Sequence, residues 1–163
     1  MALNRNKKIN IIKKIYDIAQ TSLSIITADP SGIAVNKITQ LRKNAIKSYV
    51  KIYLVKNTLL KKSLKNTNFN KIINVLNGPT LIAFSFKHPG SASRIFIQFN
   101  KKNKKFQIKH AVYENQLLKE KEIINLALLP THAEAVTKFI FLLKEISLGK
   151  LIRLLHYIGH KTI

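Results

Sequence analysis

The sequence predicts an α/β fold, in which a mixed sheet of about four strands is covered by helices and followed by a long projecting C-terminal helix. Apolar residues alternate between strand spacing and helical spacing up to about residue 129. The chain has 163 residues, of which 46% are hydrophobic, so it is long enough to bury one core. Residues 130–163 are apolar at helical spacing and contain no proline after Pro130.

The first predicted elements alternate between helix and strand. Ile9, Ile12 and Tyr16 recur at helical spacing among lysines, which predicts a basic amphipathic helix. Pro30 and Gly32 are typical of a tight turn, because proline fixes φ and glycine tolerates positive φ. The elements expected in this half are a helix over 5–20, a strand over 23–28, a turn at 29–32, a helix over 35–46 and a strand over 50–55.

The same alternation continues to a boundary near Pro130. Asn77-Gly78-Pro79 is a strong breaker, and Pro89 is tolerated in the first turn of a helix. The expected elements are short helices over 57–64 and 70–76, a strand over 80–86, a helix opened by His88-Pro89-Gly90, a strand over 106–112 and a helix over 119–128. The sequence therefore predicts a first domain over residues 1–129 and a second over residues 130–163.

The second predicted domain is one long helix. Thr131 and Glu134 fit a capping box, and a helix over about 133–157 would be ~37 Å long. Its apolar residues surround most of the helix and leave a narrow polar strip, formed by Lys138, Glu145, Gly149 and His156. Such a helix needs burial on more than one side. Other polypeptides would provide it; the alternative is that the helix folds back as the last element of the same core.

Positive charge is concentrated in the first 110 residues. The whole chain has 29 Lys and Arg against 7 Asp and Glu, and residues 1–110 hold 22 of the basic residues and 2 of the acidic ones. A segment of net charge +20 repels itself unless a polyanion neutralises it, and the commonest such polyanion is nucleic acid. The alternative is a coding bias toward lysine, but that bias does not explain why acidic residues are nearly absent from this segment alone.

Catalytic, metal and membrane functions find little support. The chain contains no cysteine, which excludes disulfides and thiolate metal sites. Asp17 and Asp29 are the only carboxylates among residues 1–110, and the pair His156 and His160 lacks further ligands, so we expect no metal and no cofactor. The uncharged apolar blocks are far shorter than the ~20 residues of a membrane span. We therefore expect a cytoplasmic protein without enzymatic activity.

Several short motifs resemble one known family. They occur in order along the chain: Met1-Ala2-Leu3-Asn4, Leu41-Arg42-Lys43, Val55-Lys56-Asn57-Thr58-Leu59-Leu60, Gly78-Pro79-Thr80-Leu81-Ile82-Ala83, His88-Pro89-Gly90, Leu129-Pro130-Thr131 and Gly149-Lys150-Leu151. The most specific pair is Lys-Asn-Thr-Leu between strand and helix, followed by Gly-Pro-Thr before a strand. The sequence thus resembles the bacterial large-subunit ribosomal protein ten family, the stalk-base proteins, from residue 1 to about residue 155.

The resemblance implies a structural role in the large ribosomal subunit. It implies that the N-terminal domain binds large-subunit ribosomal RNA beside a neighbouring stalk-base ribosomal protein. The C-terminal helix would carry acidic stalk-protein dimers, which recruit translational GTPases. Repression of the protein's own messenger RNA is a further possibility within the family.

The resemblance and the charge pattern together nominate two sets of site residues. Arg42, Lys43, Lys56, Asn57 and Thr58 are expected at RNA phosphates by position in the family motifs, although helix capping is the alternative for Asn57 and Thr58. Five further candidates rest on charge and location, namely Lys7, Lys8, Lys37, Lys61 and Lys62. The expected stalk-dimer contacts are Val136, Phe139, Ile140, Leu143, Ile146, Leu151, Leu154 and Ile158.

Two rival functions are also compatible with the sequence. One is an architectural or chaperone-like protein that binds RNA or DNA and self-associates through its C-terminal helix. The other is an enzyme that acts on acidic substrates. The first would form homo-oligomers, and the second would depend on the few carboxylates of the basic segment.

Overall fold

The computed structural model describes residues 4–161, except for the side chains at positions 147 and 159–161. The chain divides into two compact units, Met1–Leu129 and Pro130–Ile163. The described residues of the first unit form five helices, a 3-10 helix and five strands. In chain order they are α1 (Arg5–Thr21), β1 (Ser24–Asp29), α2 (Val35–Lys47), β2 (Val50–Leu54), α3 (Asn57–Leu64), the 3-10 helix Asn70–Val75, β3 (Leu81–Ser85), α4 (Ser91–Lys102), β4 (Gln107–Tyr113), β5 (Gln116–Leu118) and α5 (Glu120–Leu128).

The α/β class is confirmed, but the sheet is antiparallel rather than mixed and has five strands rather than about four. Its order is β2-β3-β1-β4-β5, and every pairing among the described residues is antiparallel. Helix α2 connects β1 to β2, which run in the same direction, but β3 lies between them. Helix α4 connects β3 to β4 around β1 in the same way. Strands joined by a helix therefore run in the same direction, but the strand inserted between them makes all neighbours antiparallel.

The additional strand, β5, forms a tight hairpin with β4. Tyr113 pairs with Gln116, so the loop between β4 and β5 consists of Glu114 and Asn115 only. Both loop residues have positive φ, 47° and 60°, as a type I′ turn requires. The usual Asn-Gly signal is absent, and β5 has only three residues, so nothing in the sequence marks the hairpin strongly.

Helices cover both faces of the sheet and divide the core into two clusters. On one face, α1, α3 and the 3-10 helix pack through Ile15, Leu60 and Ile72. On the other, α2, α4 and α5 pack through Leu41, Phe96 and Ile123. The central strand β1 contributes to both clusters because its successive side chains point to opposite faces. The surface residues of α2 therefore lie in one layer of helices, and the surface residues of α1 and α3 lie in the layer on the opposite face of the sheet.

The turn after β1 is stabilised by its own aspartate. Asp29 accepts a hydrogen bond from the Ser31 backbone N–H at 2.9 Å, and the Lys109 ammonium lies 3.0 Å from its other carboxylate oxygen. Gly32 has a φ of 73°, as predicted for this turn. The hydrogen bond from Ser31 and the charge of Lys109 lower the pKa of Asp29 below its ordinary value of 3.8.

Replacing Asp29 by Asn is expected to change how the fold responds to acid. Because the pKa of Asp29 is lower in the folded chain, its carboxylate stabilises the fold above pH 3.8, and this contribution is lost as the pH falls through the folded pKa. Urea unfolding at several pH values would show the wild type as more stable than the variant above about pH 5, with the difference shrinking toward about pH 3. A difference that stays constant over this range would contradict the assignment.

The second unit is a helical segment with an interruption in its middle. It comprises α6 (His132–Lys144), a π-helical turn (Glu145–Gly149) and α7 (Lys150–Lys161). The predicted capping box is confirmed, since Thr131 Oγ1 accepts from the Glu134 N–H at 3.4 Å and the Glu134 carboxylate accepts from the Thr131 N–H at 2.9 Å. No single described helix is long and apolar enough to span a membrane; α5 and α6 reach that length and hydropathy only when they are counted together.

The π-helical turn changes the faces of the predicted continuous helix. A π turn holds about one more residue than an α turn, so the side chains of α7 are rotated by about 100° relative to a straight continuation of α6. Glu145 pairs with Arg153 across this turn, and a Cβ at Gly149 would lie 2.6 Å from the Glu145 carboxylate. Gly149 therefore leaves room for the carboxylate that makes this ion pair.

Candidate nucleic-acid interface

An open cleft lies where β2 ends and β3 begins. It has a volume of about 530 Å³ and is lined by two segments, 54–58 and 78–80. Lys56 and Thr58, two of the predicted RNA contacts, are exposed at its border, and the lining segment 54–58 leads directly into α3. An ammonium group, a hydroxyl group and the N-terminus of a helix can together bind a phosphate.

Asn57 holds the opposite wall of this cleft in place. Its side-chain amide donates to the carbonyl oxygen of Gly78 at 2.8 Å, and no side chain caps α3. The capping alternative for Asn57 and Thr58 is therefore wrong. Lys109, which was not singled out from the sequence, donates to the carbonyls of Asn77 at 2.8 Å and Pro79 at 3.0 Å. The loop 77–79 is thus fixed from two sides, which keeps the cleft open.

The remaining predicted RNA contacts lie on both layers of helices. Arg42 and Lys43 are exposed on α2, whose buried residues Leu41 and Ala45 face the sheet. Lys37, also on α2, donates to the side-chain oxygen of Asn103 at 2.6 Å. The other layer carries exposed predicted residues on α1 and α3, namely Lys7, Lys8, Lys61 and Lys62.

The two layers meet at the edge strand β2. Helix α2 precedes β2 and packs against it, and α3 follows it after two residues. A polyanion that lies along this edge can therefore contact α2 on one side and α3 on the other. The structure brings Lys56, Asn57 and Thr58 together at one cleft, while Arg42 and Lys43 lie exposed on α2 in the opposite layer of helices.

Lysine ammonium groups also lie over aromatic rings near this edge. Lys87 Nζ is 4.0 Å from the ring centroid of Tyr49, which is exposed, and Lys51 Nζ is 5.0 Å from that of Phe86. Cation–π contacts of this kind hold a charged side chain in place at the surface. These pairs could not be predicted from the sequence, because the contacts join positions that are more than 30 residues apart in the chain.

The residues predicted to bind stalk dimers are all exposed in the second unit. Exposure ranges from 44% for Val136 to 69% for Ile146, and no residue of α6 is buried. Because of the π turn, these residues form two groups on differently oriented faces. The α6 group is Val136, Phe139, Ile140 and Leu143, Ile146 lies in the π turn, and the α7 group is Leu151, Leu154 and Ile158.

Ionisable groups in the described part of the chain form no metal cluster. No three His, Cys, Asp or Glu side chains among these residues are close enough to share a metal ion. Of the two histidines His156 and His160, His156 is exposed, and the side chain of His160 lies outside the described residues.

Comparison with known proteins assigns the chain to a family. Residues 3–101 match the family model described as ribosomal protein L10. The chain is 62% identical over 161 residues to large ribosomal subunit protein uL10 of Buchnera aphidicola subsp. Cinara cedri, covering 99% of this chain and 100% of that protein. It is 41% identical over 155 residues to uL10 of Escherichia coli O1:K1, covering 95% of this chain and 94% of that protein. The chain therefore belongs to the ribosomal protein L10 family and is a protein of the large ribosomal subunit, in the cytoplasm.

Proposed function

We propose that this chain is a non-catalytic adapter of the ribosomal stalk base. Its first unit binds large-subunit ribosomal RNA, and its second unit binds acidic stalk-protein dimers. The observation that carries this proposal is the separation of properties between two compact units: 20 net positive charges lie within residues 1–110, while the exposed apolar helix lies within Pro130–Ile163.

Ribosomal RNA binding is supported by the basic β2 edge. The exposed Lys56 and Thr58 line the cleft that Asn57 and Lys109 hold open, and the exposed lysines of α3 follow it in the chain. Arg42 and Lys43 add exposed cations on α2, which packs against β2. Phosphate contacts of this kind depend on charge and shape and need no base readout. The RNA face uses Arg42, Lys43, Lys56 and Thr58 most directly, with Asn57 as the residue that positions the cleft wall.

Dimer binding is supported by the apolar surface of α6 and α7. Large exposed apolar side chains recur along both helices, and a surface of this kind marks an interaction site. The bound dimers, in turn, recruit translational GTPases beside a neighbouring stalk-base protein. Repression of the protein's own messenger RNA would use the same RNA-binding face.

The RNA part of the proposal predicts a change in salt dependence. Replacing Arg42 and Lys56 together by Gln is expected to weaken binding to a stalk-base fragment of large-subunit RNA roughly tenfold, because two charge-assisted phosphate contacts are lost. The slope of log affinity against log salt should fall by about two, since each phosphate contact contributes about 0.9 in duplex regions. Filter binding at a series of salt concentrations would measure both quantities.

The matched control removes two charges that belong to none of α2, β2 and α3. Lys121 on α5 and Lys138 on α6 are exposed, so replacing both by Gln lowers the net charge equally. The control should keep the wild-type slope within about half a unit. An equal loss of salt slope in both variants would mean that only the total charge of the chain determines RNA binding. An unchanged slope in the Arg42 and Lys56 variant would show that these residues do not contact phosphates.

A further inference from the structure

A second basic cleft lies on the opposite face of the sheet from α3, between α2 and the end of α4. The antiparallel register pairs Asp29 with Gln107, which brings the turn after β1 beside the loop before β4. The resulting α2–α4 cleft has a volume of about 380 Å³. It is lined by residues 32–34 and Lys37 from one segment and by residues 102–105 from the other.

The cleft collects lysines from two distant segments of the chain. Lys37 comes from α2, and Lys102, Lys104 and Lys105 come from the end of α4 and the loop that follows. Lys37 donates to Asn103 at 2.6 Å, which ties the two segments together. The side chain of Lys105 lies over Gly32, since a Cβ built at Gly32 would be 3.2 Å from Lys105 Cδ. The lysines therefore lie on a defined concave surface.

No acidic side chain lines this cleft, although Glu120 lines a neighbouring cavity together with Lys104. The residues that line the cleft include four lysines and no carboxylate, and in the described part of the chain no ion pair involves Lys102, Lys104 or Lys105. Asp29 begins the adjoining turn, but its carboxylate is already bonded to Ser31 and Lys109. Four ammonium groups held together without counter-charge repel one another, so an anion with several charges would stabilise them.

We propose that the α2–α4 cleft binds the RNA phosphate backbone as a second contact site, separate from the β2 edge. The proposal rests on the proposed RNA-binding function and extends it to Lys102, Lys104 and Lys105. Helix α2 begins at this cleft with Ala34 as its N-cap and with no acidic residue in its first turn, so its end adds further positive potential. The ligand is a polyanion whose successive phosphates contact several of these lysines, which a single inorganic anion does not do.

The first test removes the three lysines in the full-length chain. Replacing Lys102, Lys104 and Lys105 by Gln is expected to lower the salt slope for the same RNA fragment by about two to three and to weaken binding more than tenfold. The control replaces Lys121, Lys138 and Lys150 by Gln. These lysines are exposed and line neither cleft, so the control should keep the wild-type salt slope of RNA binding. A triple variant with a wild-type slope overturns the proposal.

The second test separates RNA binding from folding. Ala34 has the extended backbone of an N-cap, with φ −63° and ψ 141°, but its side chain cannot cap. Replacing it by Asp or by Asn should raise the urea midpoint in both variants, because either side chain can accept from the first turn of α2. Only Asp adds a negative charge to the cleft, so it should weaken RNA binding roughly five- to tenfold while Asn leaves affinity unchanged.

The outcomes also distinguish this proposal from the broader function. If the Arg42 and Lys56 variant loses slope while the cleft variants behave like the wild type, RNA binding stands and the second site is wrong. If the wild-type chain does not bind the RNA fragment at all, both proposals fail. Equal RNA affinity of the Ala34→Asp and Ala34→Asn variants also contradicts the second site.

Discussion

Replacing Phe139 and Leu143 by Glu is expected to abolish the capture of acidic stalk dimers. Both side chains lie on α6, with exposures of 61% and 51%, and both belong to the proposed docking surface. Burying one such side chain contributes about 1.5–3 kcal/mol, so losing two weakens binding by roughly 10²- to 10⁴-fold. Glutamate is a strong helix former, so α6 itself should remain. Co-purification with the dimers and isothermal titration would measure the loss.

The charge-matched control for this variant is Lys138→Glu. It changes net charge by the same −2, but Lys138 lies on the polar strip rather than on the apolar face. We expect it to weaken capture less than about tenfold, because exposed charges contribute little. RNA affinity should stay close to the wild-type value in both variants. Equal losses of dimer binding in the two variants would show that charge, and not apolar contact, holds the partner.

Replacing Gly90 by Ala is expected to destabilise the first unit strongly. Gly90 precedes α4, and a Cβ at this position would overlap the carbonyl oxygen of Leu126 on α5. Arg94 fixes the same junction by donating to the carbonyls of Ala127 at 2.8 Å and Leu129 at 2.6 Å. Because backbone atoms on both sides would have to separate, we expect a loss of about 2–3 kcal/mol in the free energy of unfolding.

Urea unfolding tests this expectation with the neighbouring residue as control. Ser91 already carries a Cβ and lies in the first turn of α4, so Ser91→Ala should change the free energy of unfolding by less than about 0.5 kcal/mol. The midpoint of the Gly90 variant should fall while its slope with urea stays constant. A Gly90→Ala protein as stable as the wild type would show that α4 and α5 approach less closely than described.

The fold could be predicted from the sequence where the signal is local. Helix starts and the Thr131 capping box depend on neighbouring residues, and they agree with the structure. The order of the strands depends on long-range pairing, and the sheet is antiparallel rather than mixed because β3 and β1 insert between strands that helices connect. The short 70–76 helix takes the 3-10 form over Asn70–Val75, and the hairpin at Glu114-Asn115 lacks a glycine signal.

The candidate site shows a similar limit. Exposure of the predicted cations follows from helix periodicity and family motifs, so Arg42, Lys43 and Lys56 could be nominated from the sequence alone. The roles of Asn57 and Lys109 in holding the 77–79 loop could not, because their partners lie more than 20 residues away and are backbone carbonyls. The lysines of the α2–α4 cleft were missed for the same reason, since only the pairing of β1 with β4 brings them beside Lys37.

Native mass spectrometry of one mixture tests the adapter function most directly. The full-length chain, a stalk-base fragment of large-subunit RNA and purified acidic stalk dimers would be combined at micromolar concentrations. We expect a single complex that contains one copy of the chain, one RNA and at least one dimer, because the two binding surfaces belong to separate compact units. RNA and dimers that displace each other, or a homo-oligomer of the chain that binds RNA and ignores the dimers, would contradict the account.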